Sequence, residues 1–257
     1  MVNILLKKSY LRNNLKEINF RDLWNGHGVF TTMWVFGKPF KILFFKEHIT
    51  NLIKATKVYK INDKNIEKNI LKIIKFNLKN NKKYNHLLRI AVNSKVISFS
   101  LRKRLKPKLK FSVKLINYKR TQPEFKNLKY KKILEYLSKI DTSDSDIFLC
   151  NDKKIMESGT SNILFVKKNK IFSPIKNFYK GITFKFFEKK VQKIIKKNIF
   201  INTLHNYDEI ILIGSGKGVV SVESVKKPKW ERKSLKTYRF LSTIYNQAVT
   251  KCPLYYG

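Results

Sequence analysis

The chain has 257 residues, of which 43% are hydrophobic and 13% aromatic, enough for a sizeable folded core and too many for a disordered chain. No run of about 20 uncharged apolar residues occurs, and the start lacks a signal-peptide pattern, so we expect a cytoplasmic protein without a membrane span. The formal net charge is +39, and the lysines that dominate it are spread through the chain among Asn, Ile, Phe and Tyr, residues with A+T-rich codons. This distribution favours compositional drift of the genome over a nucleic-acid partner as the cause of the charge.

The chain up to residue 115 is predicted to form an N-terminal α+β domain. Runs of β-branched and aromatic residues predict strands, and apolar residues at helical spacing predict helices. The predicted strands cover 30–36, 87–92, 95–101 and 111–117, and the predicted helices cover 46–55 and a second segment with Ile66, Ile70, Ile73 and Ile74 on one face.

Arg120-Thr121-Gln122-Pro123 is interpreted as part of the linker to a C-terminal domain over 122–257. The same patterns predict its helices at 128–140, 184–197 and 234–249, and its strands at 146–150, 162–167, 171–172, 200–204 and 209–213. Cys150 and Cys252 are far apart, and the four histidines lack metal-ligand spacing. We therefore expect neither a disulfide nor a metal site.

A carboxylate, four small or polar residues, an asparagine and an apolar strand follow one another from Glu157 to Phe165. For this motif alone, a surface glutamate before a polar turn is an equally good interpretation. The pattern resembles the signature of class IV pyridoxal 5′-phosphate (PLP) enzymes, which include branched-chain aminotransferases, D-amino-acid aminotransferases and 4-amino-4-deoxychorismate lyases. The resemblance implies that Glu157 pairs with the ring nitrogen of PLP.

Lys126 lies 31 residues before Glu157, in a segment that resembles the lysine segment of this family. The resemblance implies that Lys126 is the Schiff-base lysine and the general acid/base. The chain is rich in lysine, so only position distinguishes Lys126 from its neighbours. The neighbouring lysines are more simply interpreted as solvated: Lys129, Lys131 and Lys132.

Two glycine-containing segments resemble the family's phosphate-binding elements. Gly181-Ile182-Thr183 is similar to a helix start whose N–H groups meet an anion, which implies that Ile182 and Thr183 bind the cofactor. Gly214-Ser215-Gly216 is similar to the second phosphate turn, which implies the same for Ser215 and Gly216. A glycine-rich turn is common in proteins, so the order and spacing of the segments carry the argument.

The N-terminal part also resembles the family. Residues 25–33 are similar to the strand entry Gly-Asp-Gly-x-Phe-Glu-Thr, and residues 48–52 to the segment His-Leu-x-Arg-Leu. The resemblance extends from about residue 20 to 250. It implies the two-domain D-amino-acid-aminotransferase-like PLP fold (fold type IV), with a smaller N-terminal α/β domain and a larger C-terminal pseudo-barrel domain, and it implies a homodimer.

Three positions depart from the family pattern. His27 replaces the usual Asp, Asn51 replaces the usual Arg, and Phe44 stands where aminotransferases commonly carry a phosphate-contacting arginine. Lys217 and Lys46 are candidates to compensate for that arginine. Phe30-Thr31-Thr32 and the missing arginine resemble some of the aminodeoxychorismate lyases.

We therefore expect a PLP-dependent 4-amino-4-deoxychorismate lyase that releases pyruvate and 4-aminobenzoate for folate biosynthesis. Its substrate would be a small anionic molecule that bears an amino group. Thr32 and Gly28 are candidate substrate contacts, although a strand threonine satisfied by its neighbours explains Thr32 equally well. A branched-chain or D-amino-acid aminotransferase of class IV is the alternative, and a nucleic-acid binder is a third interpretation that rests on charge alone.

Overall fold

The structure is a computed structural model that describes residues 4–61 and 63–256. The chain divides into two compact units. The first unit comprises the chain up to Arg104, Phe125–Lys131 and the chain from Lys251 onwards, and the second comprises Leu105–Glu124 and Lys132–Thr250. The domains expected from the sequence, 1–115 and 122–257, are continuous, whereas these units are not.

The first unit contains an antiparallel sheet of six strands and two helices. The strands are β1 (Ile4–Leu11), β2 (Glu17–Ile18), β3 (Gly28–Gly37), β4 (Lys41–Ile42), β5 (Tyr84–Asn93) and β6 (Val96–Lys103), and the helices are α1 (Phe45–Val58) and α2 (Ile66–Asn77). The order across the sheet is β2-β1-β6-β5-β3-β4. Gly28 pairs with Asn93 and Gly37 with Tyr84, so β3 and β5 pair along their whole length.

One face of this sheet packs against both helices. The predicted apolar face of α2 is confirmed, because its four isoleucines, Ile66, Ile70, Ile73 and Ile74, are all buried. Alternate residues of β3, including Val29 and Met33, join the same core. Each fully buried isoleucine contributes about 1.5–3 kcal/mol, so this core fixes the position of β3.

The predicted helix over 128–140 is wrong at its start. The helix is α3 (Lys131–Leu137), and residues 128–130 before it are not helical. The N–H of Leu128 donates to the carbonyl of Gly28 at 3.0 Å, and Asn127 forms a β-bridge with Val29. Backbone pairing with β3 therefore outweighs the local helical pattern.

The second unit contains two sheets. The first has β7 (Ser112–Asn117), β8 (Ser145–Asn151), β9 (Lys154–Ser158), β13 (Ile199–Phe200), β16 (Ser224–Val225) and β17 (Trp230–Glu231), in the order β13-β9-β8-β7-β16-β17. The second has β10 (Asn162–Lys167), β11 (Lys170–Ser173), β12 (Ile194–Lys196), β14 (Glu209–Gly214) and β15 (Gly218–Ser221), in the order β12-β11-β10-β14-β15.

The two sheets share one hydrophobic core, in which Phe148 of β8 meets Phe165 of β10 with ring centroids 6.4 Å apart. Helix α4 (Ile182–Lys190) contacts β14, and helix α5 (Lys236–Thr250) contacts β14 and β15. The N–H of Gly181, just before α4, donates to Oδ1 of Asn162, the first residue of β10.

Two further predictions in this unit are wrong. The helix predicted over 184–197 ends at Lys190, because Ile194–Lys196 instead forms β12 and pairs in parallel with β11. The strand predicted over 200–204 is mostly a short 3-10 helix, Ile201–Asn206. In both segments the β-branched residues are ambiguous locally, and in the first of them pairing with β11 decides the outcome.

Candidate active site

Lys126 lies in the extended segment that runs beside the start of β3. Its carbonyl accepts a hydrogen bond from the N–H of Phe30 at 2.9 Å, and its Nζ lies 5.2 Å from the centroid of the Phe30 ring. The Lys126 side chain is half-buried. The neighbouring lysines are all exposed: Lys129, Lys131 and Lys132. Lys126 therefore differs from them in its surroundings as well as in its position.

Gly28 allows the Lys126 segment to approach β3 closely. A Cβ atom at this position would lie 2.3 Å from the carbonyl oxygen of Val92 and 2.7 Å from Cδ1 of Leu128. Both distances are shorter than any real Cβ contact, so only glycine fits. The structure thus gives Gly28 a packing role, and its predicted contact with substrate stays a prediction.

Thr31 and Thr32 point to opposite faces of the sheet. The Thr31 hydroxyl lies 2.7 Å from Nδ1 of His48, inside the core beneath α1. Burial, and then the charge of Lys126, lowers the pKa of His48 to about 3, so its ring is neutral near pH 7. Thr32 pairs with Arg89 on β5 and shares the sheet face of Phe30.

Glu157 is buried near the end of β9 and forms an ion pair with Arg120. Nε of Arg120 donates to Oε1 at 2.8 Å, and Nη2 donates to Oε2 at 3.1 Å. The two side chains are 3% and 8% exposed, so water screens their attraction only weakly. This geometry is the fork that guanidinium and carboxylate groups favour.

The Glu157 carboxylate keeps room for one more donor. The N–H of Tyr179 is a second donor to Oε2 at 3.2 Å, whereas among the described residues Oε1 accepts one hydrogen bond, from Nε of Arg120. Each carboxylate oxygen accepts about two hydrogen bonds. Oε1 can therefore accept a proton-bearing ring nitrogen, which is what the role implied for Glu157 requires.

Asn162, the first residue of β10, is hydrogen-bonded to the segment that leads into α4. Its Oδ1 accepts a hydrogen bond from the N–H of Gly181 at 3.0 Å, and its Nδ2 donates to the carbonyl of Tyr179 at 2.6 Å. A Cβ at Gly181 would lie 2.8 Å from that Oδ1. Asn162 and Gly181 together fix where the first N–H groups of α4 point.

Thr183 lies in the first turn of α4 and is 1% exposed. Within the described residues its hydroxyl oxygen has no hydrogen-bond partner. A buried hydroxyl without a partner is unfavourable by about 1–3 kcal/mol, and the N-terminus of a helix attracts anions. A phosphate group at this position would accept a hydrogen bond from the Thr183 hydroxyl and place its negative charge at the helix N-terminus. Thr183 and the buried Ile182 before it therefore fit a phosphate-bearing cofactor.

Ser215 and Gly216 form the turn between β14 and β15. The turn is closed by the pair Gly214 and Gly218, and Gly218 has φ +77°, which favours glycine. A Cβ at Gly214 would lie 3.1 Å from the hydroxyl of Ser161. The turn therefore lies against the loop that follows Glu157.

Phe44, which stands in the place of the missing arginine, has φ 55° and precedes α1. The two lysines proposed to compensate for that arginine differ in their surroundings. Lys46 is exposed. Lys217 instead forms an ion pair with the fully buried Asp146, at 3.1 Å.

Sequence reasoning missed Arg120 and gave no separate role to Asn162. Arg120 lies in a segment interpreted as a linker, 37 residues before its partner. Only eight of the 56 Lys and Arg residues are arginines, and a buried carboxylate is best paired by the arginine fork, so the rarity of arginine was a usable signal. Asn162 is recognisable in the sequence as the polar residue that begins the apolar strand β10.

Comparison with known proteins finds one matching family. The model of the family described as amino-transferase class IV matches residues 28–225. No curated protein sequence matches the chain. None of the helices in the described ranges, 4–61 and 63–256, is long and apolar enough to cross a membrane.

Several solved structures are similar over nearly their whole length. A branched-chain aminotransferase from Thermoproteus uzoniensis, with norvaline, gives a TM-score of 0.78 at 15% identity, covering 95% of each chain. The branched-chain aminotransferase from Escherichia coli gives 0.75 at 14% identity, covering 98% of this chain and 97% of that one. The T.th. branched-chain aminotransferase complexed with N-(5′-phosphopyridoxyl)-L-glutamate gives 0.75 at 14% identity, covering 95% and 94%. At these identities the similarity shows a shared mixed α/β fold.

Proposed function

The chain belongs to the class IV aminotransferase family, and from this membership we propose that it is an enzyme that uses PLP to act on a small anionic substrate with an amino group. The T.th. relative is described in complexes with a phosphopyridoxyl amino acid and with pyridoxamine 5′-phosphate. These complexes and the family support PLP as the cofactor. The observation in this chain that carries the proposal is the buried Thr183 hydroxyl at a helix start, which has no hydrogen-bond partner among the residues that the structure describes.

Different residues of this chain would hold different parts of such a cofactor. Thr183, Ile182 and the Ser215-Gly216 turn offer a hydroxyl and backbone N–H groups to the phosphate. Glu157, held by Arg120, offers Oε1 to the ring nitrogen. We propose that Lys126 forms the covalent bond to the cofactor. When bound, PLP draws electrons from the substrate carbon that carries the amine.

We propose 4-amino-4-deoxychorismate lyase as the reaction. With the cofactor and the substrate bound, the Lys126 amine would take a proton from the ring carbon that carries the nitrogen. The ring C–O bond breaks, the ring becomes aromatic, and a proton returns to the methylene carbon of the departing enolpyruvyl group. The products are 4-aminobenzoate and pyruvate. Thr32 shares the sheet face of Phe30, over which Lys126 lies, and this supports its role as a substrate contact.

The feature that favours the lyase is Phe30-Thr31-Thr32 combined with Phe44. An acid at position 31 would enter the core beside His48, where burial strongly disfavours charge. The neutral pair of Thr31 and His48 suits that core. This pattern and the absence of the arginine at Phe44 resemble the lyases more than the aminotransferases.

A branched-chain or D-amino-acid aminotransferase is the second candidate. The solved structures named above are branched-chain aminotransferases, and this supports the alternative. An aminotransferase would need an amino acid donor and a 2-oxo acid acceptor. The lyase needs no acceptor.

The two candidates are separated by one assay on the purified protein loaded with PLP. With aminodeoxychorismate and no acceptor, we expect 4-aminobenzoate and pyruvate in equal amounts. Transamination of an amino acid with 2-oxoglutarate, together with no 4-aminobenzoate, would overturn the lyase. Lys126→Ala should abolish the reaction, and the exposed Lys129→Ala serves as the matched control that keeps it.

Three other properties stay predictions: the homodimer, the cytoplasmic location and the absence of a nucleic-acid partner. A nucleic-acid binder would bind DNA or RNA with strong salt dependence. Titration of the chain against duplex DNA in low and high salt tests that interpretation, and analytical ultracentrifugation tests the dimer.

A further inference from the structure

A buried ion pair lies beneath the Ser215-Gly216 turn. Lys217 is the next residue of that turn, and its Nζ lies 3.1 Å from Oδ2 of Asp146 at the start of β8. The two side chains are 11% and 0% exposed. Nζ also donates to the carbonyl of Ser145 at 3.2 Å and lies 4.6 Å from the centroid of the Phe111 ring. Lys217 therefore points into the unit.

Asp146 also holds the loop that follows Glu157. Its Oδ2 accepts hydrogen bonds from the hydroxyl of Thr160 at 2.6 Å and from the hydroxyl of Ser158 at 3.1 Å. Its Oδ1 accepts from the N–H of Ile147 at 2.8 Å. One buried carboxylate thus binds the turn through Lys217 and the loop through two hydroxyls.

We propose that the Lys217–Asp146 pair is a positioning device for the phosphate end of the cofactor, an inference that rests on the proposed function. It fixes the Ser215-Gly216 turn relative to the Ser158–Ser161 loop, so that the turn's N–H groups are aligned before the phosphate arrives. The contact between Gly214 and Ser161 keeps the same two segments together.

The charge of Lys217 is already balanced by Asp146, so Lys217 does not take the place of the arginine missing at Phe44. Taking two charges out of water is unfavourable, and a hydrophobic pair of the same size commonly stabilises a fold as well or better. Stability alone therefore does not explain the pair. Preorganised turn N–H groups do, because binding then requires less ordering.

The distinguishing experiment compares PLP with pyridoxal, which has the same ring and no phosphate. Lys217→Met should weaken the equilibrium binding of PLP, followed by absorbance titration, by about tenfold or more, the loss that is typical when the outer-shell partner of a metal ligand is removed. Its binding of pyridoxal should stay within about threefold of the wild-type value. A merely structural role would weaken both ligands equally.

Three controls complete the test. Lys217→Arg keeps the charge and the donors and should bind PLP within about threefold of wild type. Lys170→Met removes an exposed lysine of the same unit and should change nothing. The double variant of Lys217→Met and Asp146→Asn should bind PLP no more weakly than the worse single variant, because the two residues act as one pair.

Equal binding of PLP by wild type and Lys217→Met, or equal losses for PLP and pyridoxal, would overturn the positioning role. If Lys217→Met does not fold, Asp146→Asn makes the same prediction of a loss selective for PLP. A wild-type chain that binds neither ligand would overturn the proposed function itself. That outcome is distinct, because it appears before any variant is compared.

Discussion

Arg120 donates two hydrogen bonds to Glu157, from Nε to Oε1 at 2.8 Å and from Nη2 to Oε2 at 3.1 Å. Nη2 also donates to the carbonyl of Pro123 at 2.6 Å. The pair joins the segment that leads out of β7 to the strand that carries Glu157. The orientation of the Glu157 carboxylate is thus set before any ligand binds.

Arg120→Leu should lower the free energy of unfolding by about 3–5 kcal/mol, because it leaves a buried carboxylate without a counter-charge. Arg120→Lys should lower it by less, about 1–3 kcal/mol, since an ammonium group cannot make the two-bonded fork. Urea unfolding measures both values. Arg239→Leu, at an exposed arginine of α5, is the control and should stay within about 0.5 kcal/mol of wild type. A loss for Arg120→Leu as small as that of the control would contradict the buried pair.

Glu209 is the buried cap of helix α5. Its carboxylate accepts hydrogen bonds from the N–H groups of Thr237 and Tyr238, each at 2.8 Å, and it is 1% exposed. Glu209→Gln removes the negative charge at the helix N-terminus and turns one acceptor into a donor. We expect unfolding to become easier by about 1–3 kcal/mol in urea. The exposed Glu231→Gln is the matched control, and an equal effect of both changes would contradict the capping role.

The sequence predicts those elements whose spacing of apolar residues matches the side chains that the core buries. The four isoleucines of α2 lie on the face that the structure buries, and the β-branched and aromatic residues predicted as a strand over 30–36 lie in β3. The start of α3 could not be predicted in this way. The residues from Lys126 to Leu128 pair with Gly28 and Phe30, about 100 residues earlier in the chain, and a local pattern contains nothing about such a contact.

The same limit applies to the candidate site. Glu157, Thr183 and Ser215 are recognisable because each lies within a short segment whose order resembles a known family. Arg120 and Asp146 have no segment of their own, since their roles come from partners 37 and 71 residues away. The function of a buried charge depends on what it faces, and the sequence does not give that.

His48 should make the protein less stable as the pH falls below 6.5. Its folded pKa is lowered to about 3 by burial and by Lys126, so the unfolded chain takes up a proton that the folded chain does not. The stability is complete above the unfolded pKa of about 6.5 and is lost progressively as the pH falls towards 3. Between pH 7.5 and pH 5 the loss from this residue is about 2 kcal/mol.

The measurement is the difference between wild type and His48→Gln in urea unfolding at both pH values. The variant loses the hydrogen bond to Thr31 at every pH, so only the change of the difference with pH is informative. That difference should shrink by about 2 kcal/mol at pH 5. The exposed His205→Gln is the control. A difference that does not change with pH would show that His48 takes up its proton in the folded state as easily as in the unfolded one.

Gly28→Ala should disturb the Lys126 segment more than its size suggests. The added methyl group would lie 2.3 Å from the Val92 carbonyl oxygen, which is held in the β3–β5 pairing, and 2.7 Å from Leu128. The backbone of β5 cannot move without breaking its ladder, so the segment from Lys126 to Leu128 should be displaced instead. We expect a loss of about 1–3 kcal/mol in urea unfolding and weaker bonding of PLP to Lys126, measured by borohydride trapping. Gly26→Ala, whose nearest neighbour would be 3.2 Å away, should be much milder. If both variants trap PLP as well as wild type does, the close approach at Gly28 does not position Lys126.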